Sequence, residues 1–329
     1  MSQAESHAAA APEILMPAPM MSLVVERLAE RFRLRRLWEE PDPAAWLATH
    51  GAHVRGLASG SHAAVDAALL DRLPALEIVA SFGVGYDHVD ARAAAARGVV
   101  VTNTPDVLTE EVADLAIGLL LSTVRRLHQA ERWLRAGRWE AEGPFPLSPS
   151  LRTRTIGILG YGRIGKAIAR RLDAFGVTVV YHGRRRQEDA PHRHYDSLLA
   201  MARDVDTLVS VAPGGASTRN LISRDVLRAL GPEGVLINVG RGTVVDEEAL
   251  VAALEAGEIL SAGLDVFAGE PHVPNGLIAR DDVVLLPHVG SASVHTREAM
   301  GRLVVDNLVS WFEGAGPLTP VEETPWPRG

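Results

Sequence analysis

Arg241 in INVGRGTVVDEEAL, Glu270 in GLDVFAGEP and His288 in VVLLPHVGSAS each stand at or just beyond the end of an apolar segment. Ligand sites in open α/β sheets gather outside the carboxyl ends of strands. There a guanidinium can anchor a carboxylate, an imidazole can deliver a proton near neutral pH, and an acid beside the imidazole can tune that delivery. Together the three suit the reduction of a carbonyl. Taken singly they are ordinary: Arg241 could cap a strand end, Glu270 could fill a surface turn before Pro271, and His288 could simply follow a buried strand.

A second constellation is TIGILGYGRIG, in which Gly160, Gly162 and Gly165 leave a β-branched strand and open a helix at Arg163 and Ile164. The first glycine permits a tight turn, the second admits a diphosphate to the backbone, and the third lets the helix pack on the strand. The helix N-terminus adds unpaired N–H groups and the positive end of its dipole. This is the pattern of a dinucleotide site, and the choice of dinucleotide is read at the end of the next strand. An NAD site places an acid there against the ribose 2′-hydroxyl. Here VVYHGRRRQ has no acid from Val177 through Gln187, and Gly183 is followed by Arg184, Arg185 and Arg186. Guanidinium groups pair bidentately with a phosphate. NADP(H) is therefore the expected cofactor, with NAD(H) as an alternative and a merely solvated basic turn as the competing explanation.

The elements that must position these groups alternate along the chain. Strands are expected at ILMPA, Val54–Ser59, LEIVASFG and GVVVTN, separated by helices over 20–32, 63–70 and 89–97. The longest helix is expected from Thr109 to Leu127, followed by the Gly- and Pro-rich loop RAGRWEAEGPFPLSPS. The alternation then resumes with strands TIGILG, VTVVYH, DTLVSVA, GVLINVG, LSAGLDVF and DVVLLPH. Helices fall over 164–175, 195–203, 223–230, 247–256 and 294–312. Such alternation implies parallel sheets covered on both faces, an α/β protein.

With 329 residues the chain exceeds what one core usually supports, so two domains are expected. Its net charge of −8 argues against a nucleic-acid-backbone partner. The absence of cysteine removes disulfides, thiol nucleophiles and thiolate metal sites, and no other metal site is expected. The opening MSQAESHAAAAPE lacks the basic and apolar regions of a secretory signal and is expected to be a mobile tail. The longest apolar run, Val112 to Val124, contains Asp114 and is too short to cross a bilayer. A cytoplasmic protein is the expectation.

From about Leu76 to Trp311 the sequence resembles the D-isomer-specific 2-hydroxyacid dehydrogenase family. The resemblance rests on ASFGVGYDHVD, VTNTPDVLTEEVADLAIGLLL, TIGILGYGRIG, LINVGRGTVVDEEALVAAL, AGLDVFAGEP and LLPHVGSAS. It is strongest to the glyoxylate and hydroxypyruvate reductase branch. It implies a discontinuous architecture. Residues 1–102 plus 290–329 would form a flavodoxin-like substrate domain, and 103–289 an inserted Rossmann-type, doubly wound parallel sheet. It further implies that His288 is the general acid, that Glu270 holds the far imidazole nitrogen, and that Arg241 binds the carboxylate of a small 2-oxo acid. Backbone N–H groups of Val84 and Gly85 would bind the same carboxylate. Asp265 would hold the nicotinamide carboxamide. Val211, Ala212, Pro213 and Thr218 would line the adenine and diphosphate side, and Asn238, Val239, Gly240 and Gly290 would lie near the nicotinamide. A homodimer is implied, with Trp139 either reaching the neighbouring subunit's site or packing at the interface. Alternatives on the same scaffold are a hydroxyphenylpyruvate reductase and a phosphite dehydrogenase; a nucleotide-sensing corepressor is the alternative outside enzymes.

Overall fold

The computed structural model describes residues 11–60 and 63–326, so the expected mobile tail lies, through residue 10, outside the described residues. These residues form two compact units. One comprises the residues up to Leu108 and from Ser293 onward; the other is Thr109–Ala292. Both boundaries fall later than the expected 102/103 and 289/290, for a local reason. The Asn103 amide donates to the Thr319 carbonyl (3.2 Å) and the Thr104 amide to the Gly83 carbonyl (2.8 Å), tying residues 103 and 104 to the first unit. At the other boundary the Gly290 amide donates to Asp265 Oδ2 (2.9 Å) and stays with the second.

The first unit is built on a five-stranded sheet: β1 (Glu13–Met16), β2 (Arg33–Arg36), β3 (Val54–Ser59), β4 (Ile78–Ser81) and β5 (Val100–Thr102). The spatial order is β2-β1-β3-β4-β5 with every pair parallel, the flavodoxin-like order. Successive strand residues face opposite sides, so both faces need cover. Ile14, Met16, Ala58, Ile78 and Ala80 pack with helices Ser22–Arg31 and Val294–Phe312. Leu15, Leu57, Val79 and Val101 pack on the other face with Trp46, Leu47, Leu70 and Ala94.

The second unit carries seven parallel strands: β6 (Thr155–Leu159), β7 (Thr178–His182), β8 (Arg193–Tyr195), β9 (Thr207–Ser210), β10 (Val235–Asn238), β11 (Ser261–Leu264) and β12 (Val284–Leu285). Their order, β12-β11-β10-β9-β6-β7-β8, is the Rossmann order. It reverses between β6 and β9, and the loops leaving those two strands flank the crevice where nucleotides bind in such sheets.

The helices differ from expectation in several places, and those at Pro43–His50 and Asn275–Ile278 are not among the expected elements. The helix from Thr109 ends at Val124, because Arg126 turns left-handed (φ 54°), and a new helix runs Leu127–Arg135. At 16 residues it is shorter than Val294–Phe312, which has 19. The expected loop after it contains the helix Arg138–Glu142. The helix expected from Tyr195 begins at Leu198, capped by the Ser197 hydroxyl, which leaves Tyr195 in β8.

Candidate active site

The glycine-rich turn fits its expected purpose residue by residue. Gly160 has φ +93°, and a Cβ there would lie 3.1 Å from the Ala212 nitrogen, so both conformation and space exclude a side chain. A Cβ on Gly165 would come within 2.1 Å of the Gly160 carbonyl oxygen, which is how the helix Arg163–Ala174 sits directly on the turn. Gly162 is the N-cap of that helix, and a Cβ added to it would meet nothing within 4 Å. The turn thus presents a bare backbone cradle at a helix N-terminus, which suits a diphosphate.

Across the switch point, the chain leaving β9 runs through Val211, Ala212 and Pro213. Thr218 closes the following turn by donating its hydroxyl to the Pro213 carbonyl (2.7 Å). Gly240, beyond β10, lies so close that a Cβ would reach within 2.6 Å of the Ala212 oxygen. At the end of β7, Gly183 leads into Arg184, Arg185 and Arg186, all three exposed. Among the described residues none of these guanidinium groups has an ion-pair or hydrogen-bond partner. The segment offers concentrated positive charge with no internal acid to neutralise it.

Arg241, Glu270 and His288 are brought together by contacts between their loops. A Cβ on Gly242 would overlap the Phe267 carbonyl carbon (1.8 Å), so glycine is required for the Arg241 turn to lie against the segment leading to Glu270. Asn238, 1% exposed, braces that turn: its side-chain amide donates to the Arg241 carbonyl (2.9 Å) and its oxygen accepts from the Gly240 amide (3.2 Å). His288 Nδ1–H donates to Glu270 Oε2 at 2.8 Å, while Glu270 Oε1 accepts from the Phe267 amide at 2.9 Å. Burial opposes ionisation of Glu270. The hydrogen bonds from His288 and Phe267, with the charges of His288 and Arg241, outweigh it and hold the carboxyl below its usual range. Glu270 therefore stays an anion with its position fixed, and His288 Nε2 is the nitrogen left to face a reacting oxygen.

His288 itself adopts φ +53°, an uncommon conformation for a residue with a side chain. Asp265 holds it there. The Asp265 carbonyl accepts from the His288 amide (2.9 Å), and its carboxylate accepts from the Val289 (2.7 Å) and Gly290 (2.9 Å) amides. Asp265 is 1% exposed, and burial raises its pKa against the pull of those two amides.

The turn bearing Val84 and Gly85 belongs to the first unit. The Gly83 amide donates to the Thr104 hydroxyl (3.0 Å) and the Asn103 side chain donates to the Val84 carbonyl (2.9 Å). Neither the Val84 nor the Gly85 amide donates to another described group. Pinned, half-exposed amides of this kind suit an anion.

Comparison with known proteins agrees with this geometry. The model of the D-isomer specific 2-hydroxyacid dehydrogenase NAD-binding domain matches residues 117–290. The chain belongs to this family. A solved structure, the NADPH-dependent glyoxylate/hydroxypyruvate reductase of Sinorhizobium meliloti in complex with NADP and malonate, is 57% identical. The match covers 97% of this chain and 99% of that one, with a TM-score of 0.92. Two curated relatives are each 46% identical over 94% of this chain and 98% of their own length. They are glyoxylate/hydroxypyruvate reductase A of Arabidopsis thaliana and hydroxyphenylpyruvate reductase of Plectranthus scutellarioides.

Sequence reasoning passes over several residues that shape the site of this dehydrogenase. Glu247, in the first turn of helix Glu247–Glu255, accepts from the Ala268 amide (2.8 Å), one residue along from the amide held by Glu270. Burial and the neighbouring Glu270 raise its pKa. Nothing in VDEEAL distinguishes such a carboxylate from an ordinary helix-starting acid. Tyr161, inside the glycine-rich motif, donates to His192 Nδ1 (2.6 Å), and His192 Nε2–H donates to Asp173 (2.9 Å).

Proposed function

We propose that this dehydrogenase is a glyoxylate/hydroxypyruvate reductase that uses NADPH in preference to NADH to reduce a small 2-oxo acid to the D-2-hydroxy acid. The 2.8 Å His288–Glu270 pair carries the proposal, because it joins a proton donor to a fixed anion at the carboxyl ends of the strands. The cradle at Gly160, Gly162 and Gly165 and the partnerless Arg184–Arg186 suit a diphosphate and a 2′-phosphate respectively. When bound, the nicotinamide supplies the hydride that ends on the carbonyl carbon. His288 gives the Nε2 proton to the carbonyl oxygen as negative charge collects there, and Glu270 stabilises the imidazolium before that transfer. Arg241 pairs with the substrate carboxylate. Asp265 keeps the His288 turn in place, and its remaining lone pairs can accept from the nicotinamide carboxamide.

No helix among the described residues is long and apolar enough to cross a membrane, and a cysteine-free chain suits a reducing cytoplasm. A homodimer is proposed from the exposed apolar side chains Leu127, Leu134, Trp139 and Leu147 on adjoining segments.

Initial rates of NADPH and NADH oxidation should be measured in parallel with glyoxylate, hydroxypyruvate and hydroxyphenylpyruvate. Fast NADPH turnover on the two small acids is expected. The equal identity of the hydroxyphenylpyruvate relative makes that substrate the second reading, and faster turnover on it would replace the first. Reduction of NADP by phosphite would displace both.

A further inference from the structure

Arg184, Arg185 and Arg186 sit on a short loop whose two ends are tied down by backbone and side-chain hydrogen bonds. At the start, the His182 carbonyl accepts from the Gly160 amide (2.9 Å), and His194 Nε2–H donates to the Gly183 carbonyl (3.4 Å). At the end, the Gln187 amide donates to the Tyr181 hydroxyl (2.8 Å), and that hydroxyl donates back to the Gln187 carbonyl (3.4 Å). Lys166, from the helix that opens at the glycine-rich turn, adds a bond from Nζ to Gln187 Oε1 (3.2 Å).

Tyr181 links this loop to the diphosphate turn. It is 0% exposed, and its ring stacks on Tyr161 of the glycine-rich motif with centroids 4.0 Å apart and planes at 23°. Phenylalanine would fill the same space equally well. What the hydroxyl adds is a closed loop, since it engages both backbone groups of Gln187, six residues along the chain. Arginines on an open loop must lose backbone as well as side-chain freedom before they grip a phosphate. On a closed loop only the side-chain part remains.

We propose that Tyr181 is a positioning residue for cofactor selectivity: its hydroxyl closes the Gly183–Gln187 loop and so presents Arg184–Arg186 to the 2′-phosphate of NADPH. The inference rests on the reading of those arginines as the 2′-phosphate site.

The test uses the full chain and calorimetric titration with adenosine 2′-monophosphate, adenosine 5′-monophosphate, NADPH and NADH. Wild-type protein is expected to prefer the 2′-phosphate over the 5′-phosphate. Tyr181→Phe is expected to weaken adenosine 2′-monophosphate and NADPH about fivefold, the worth of one hydrogen bond, and to leave NADH unchanged. Gln187→Ala, which leaves the buried ring untouched, should shift the same ratio about twofold. In a chain already carrying Arg184→Ala, Arg185→Ala and Arg186→Ala, Tyr181→Phe should cause no further loss. An unchanged NADPH/NADH affinity ratio in Tyr181→Phe, or an equal loss for both cofactors, reduces Tyr181 to a core residue and overturns the proposal. If wild type shows no preference for the 2′-phosphate, the arginine reading itself has failed and the proposal falls with it.

Discussion

The imidazole of His288 is held by one carboxylate oxygen, and the two residues make separable predictions. His288→Ala should lower kcat about 100- to 10,000-fold while NADPH affinity, measured by fluorescence titration, stays within about twofold. Retained turnover would remove His288 from the proton transfer. Glu270→Gln keeps the size and an acceptor but deletes the charge that favours the imidazolium. The catalytic rate should then fall at least about tenfold with NADPH affinity unchanged, and an unchanged rate would deny Glu270 that part. Glu270 is held below its ordinary value near 4.5, so its pairing contributes stability in full above that value and loses it as pH falls through the lower folded value. The Arg184→Ala, Arg185→Ala double variant acts on the cofactor alone. NADPH affinity should fall at least about tenfold with NADH unaffected, and equal losses would contradict a 2′-phosphate contact.

At the scale of elements, the strands deliver residues at their carboxyl ends, while the opposite edge of the second sheet is fastened by a buried cation. Arg154 Nη1 donates to the Asp206 carbonyl (2.9 Å), Asp206 Oδ1 (3.2 Å), Thr207 Oγ1 (3.1 Å) and the Glu233 carbonyl (3.0 Å). These groups sit at or just before the starts of β9 and β10, beside the start of β6. Arg154→Met would take the donor from the Glu233 carbonyl and the counter-charge from the Asp206 carboxylate, and should cost about 2 kcal/mol in urea unfolding with KM unchanged. A variant that loses activity but not stability would be the wrong outcome. How far such elements can be read from sequence depends on what each buries. The strand Val54–Ser59 and the helix Val294–Phe312 have the expected bounds, because their apolar periodicity is imposed by a core. β2 has no such signal: RLRR is an edge strand whose Arg33 and Arg35 pair with the buried Glu13. The break at Arg126 is equally silent, since a left-handed residue there is not advertised by a glycine. Arg241, Glu270 and His288 were legible because each follows an apolar strand. Glu247 and Tyr181 were not, because each works through a backbone group that only the fold brings near.

For the molecule as a whole, the helix Leu127–Arg135 buries none of its residues, yet it is strongly amphipathic. Leu127 is 50%, Leu134 56%, Trp139 62% and Leu147 98% exposed, which is costly for a chain that must remain soluble alone. A second copy covering this surface is the proposed remedy. Leu134→Asp should place a charge in that interface and convert a dimer to a monomer in sedimentation velocity, while circular dichroism stays native, because Leu134 supports no core. A dimer that survives the change would move the interface elsewhere. The monomer then decides what Trp139 does. If kcat per chain falls with NADPH affinity unchanged, the partner's tryptophan completes the substrate site. If kcat persists, Trp139 is a packing residue, and each chain of this dehydrogenase carries a whole active site of its own.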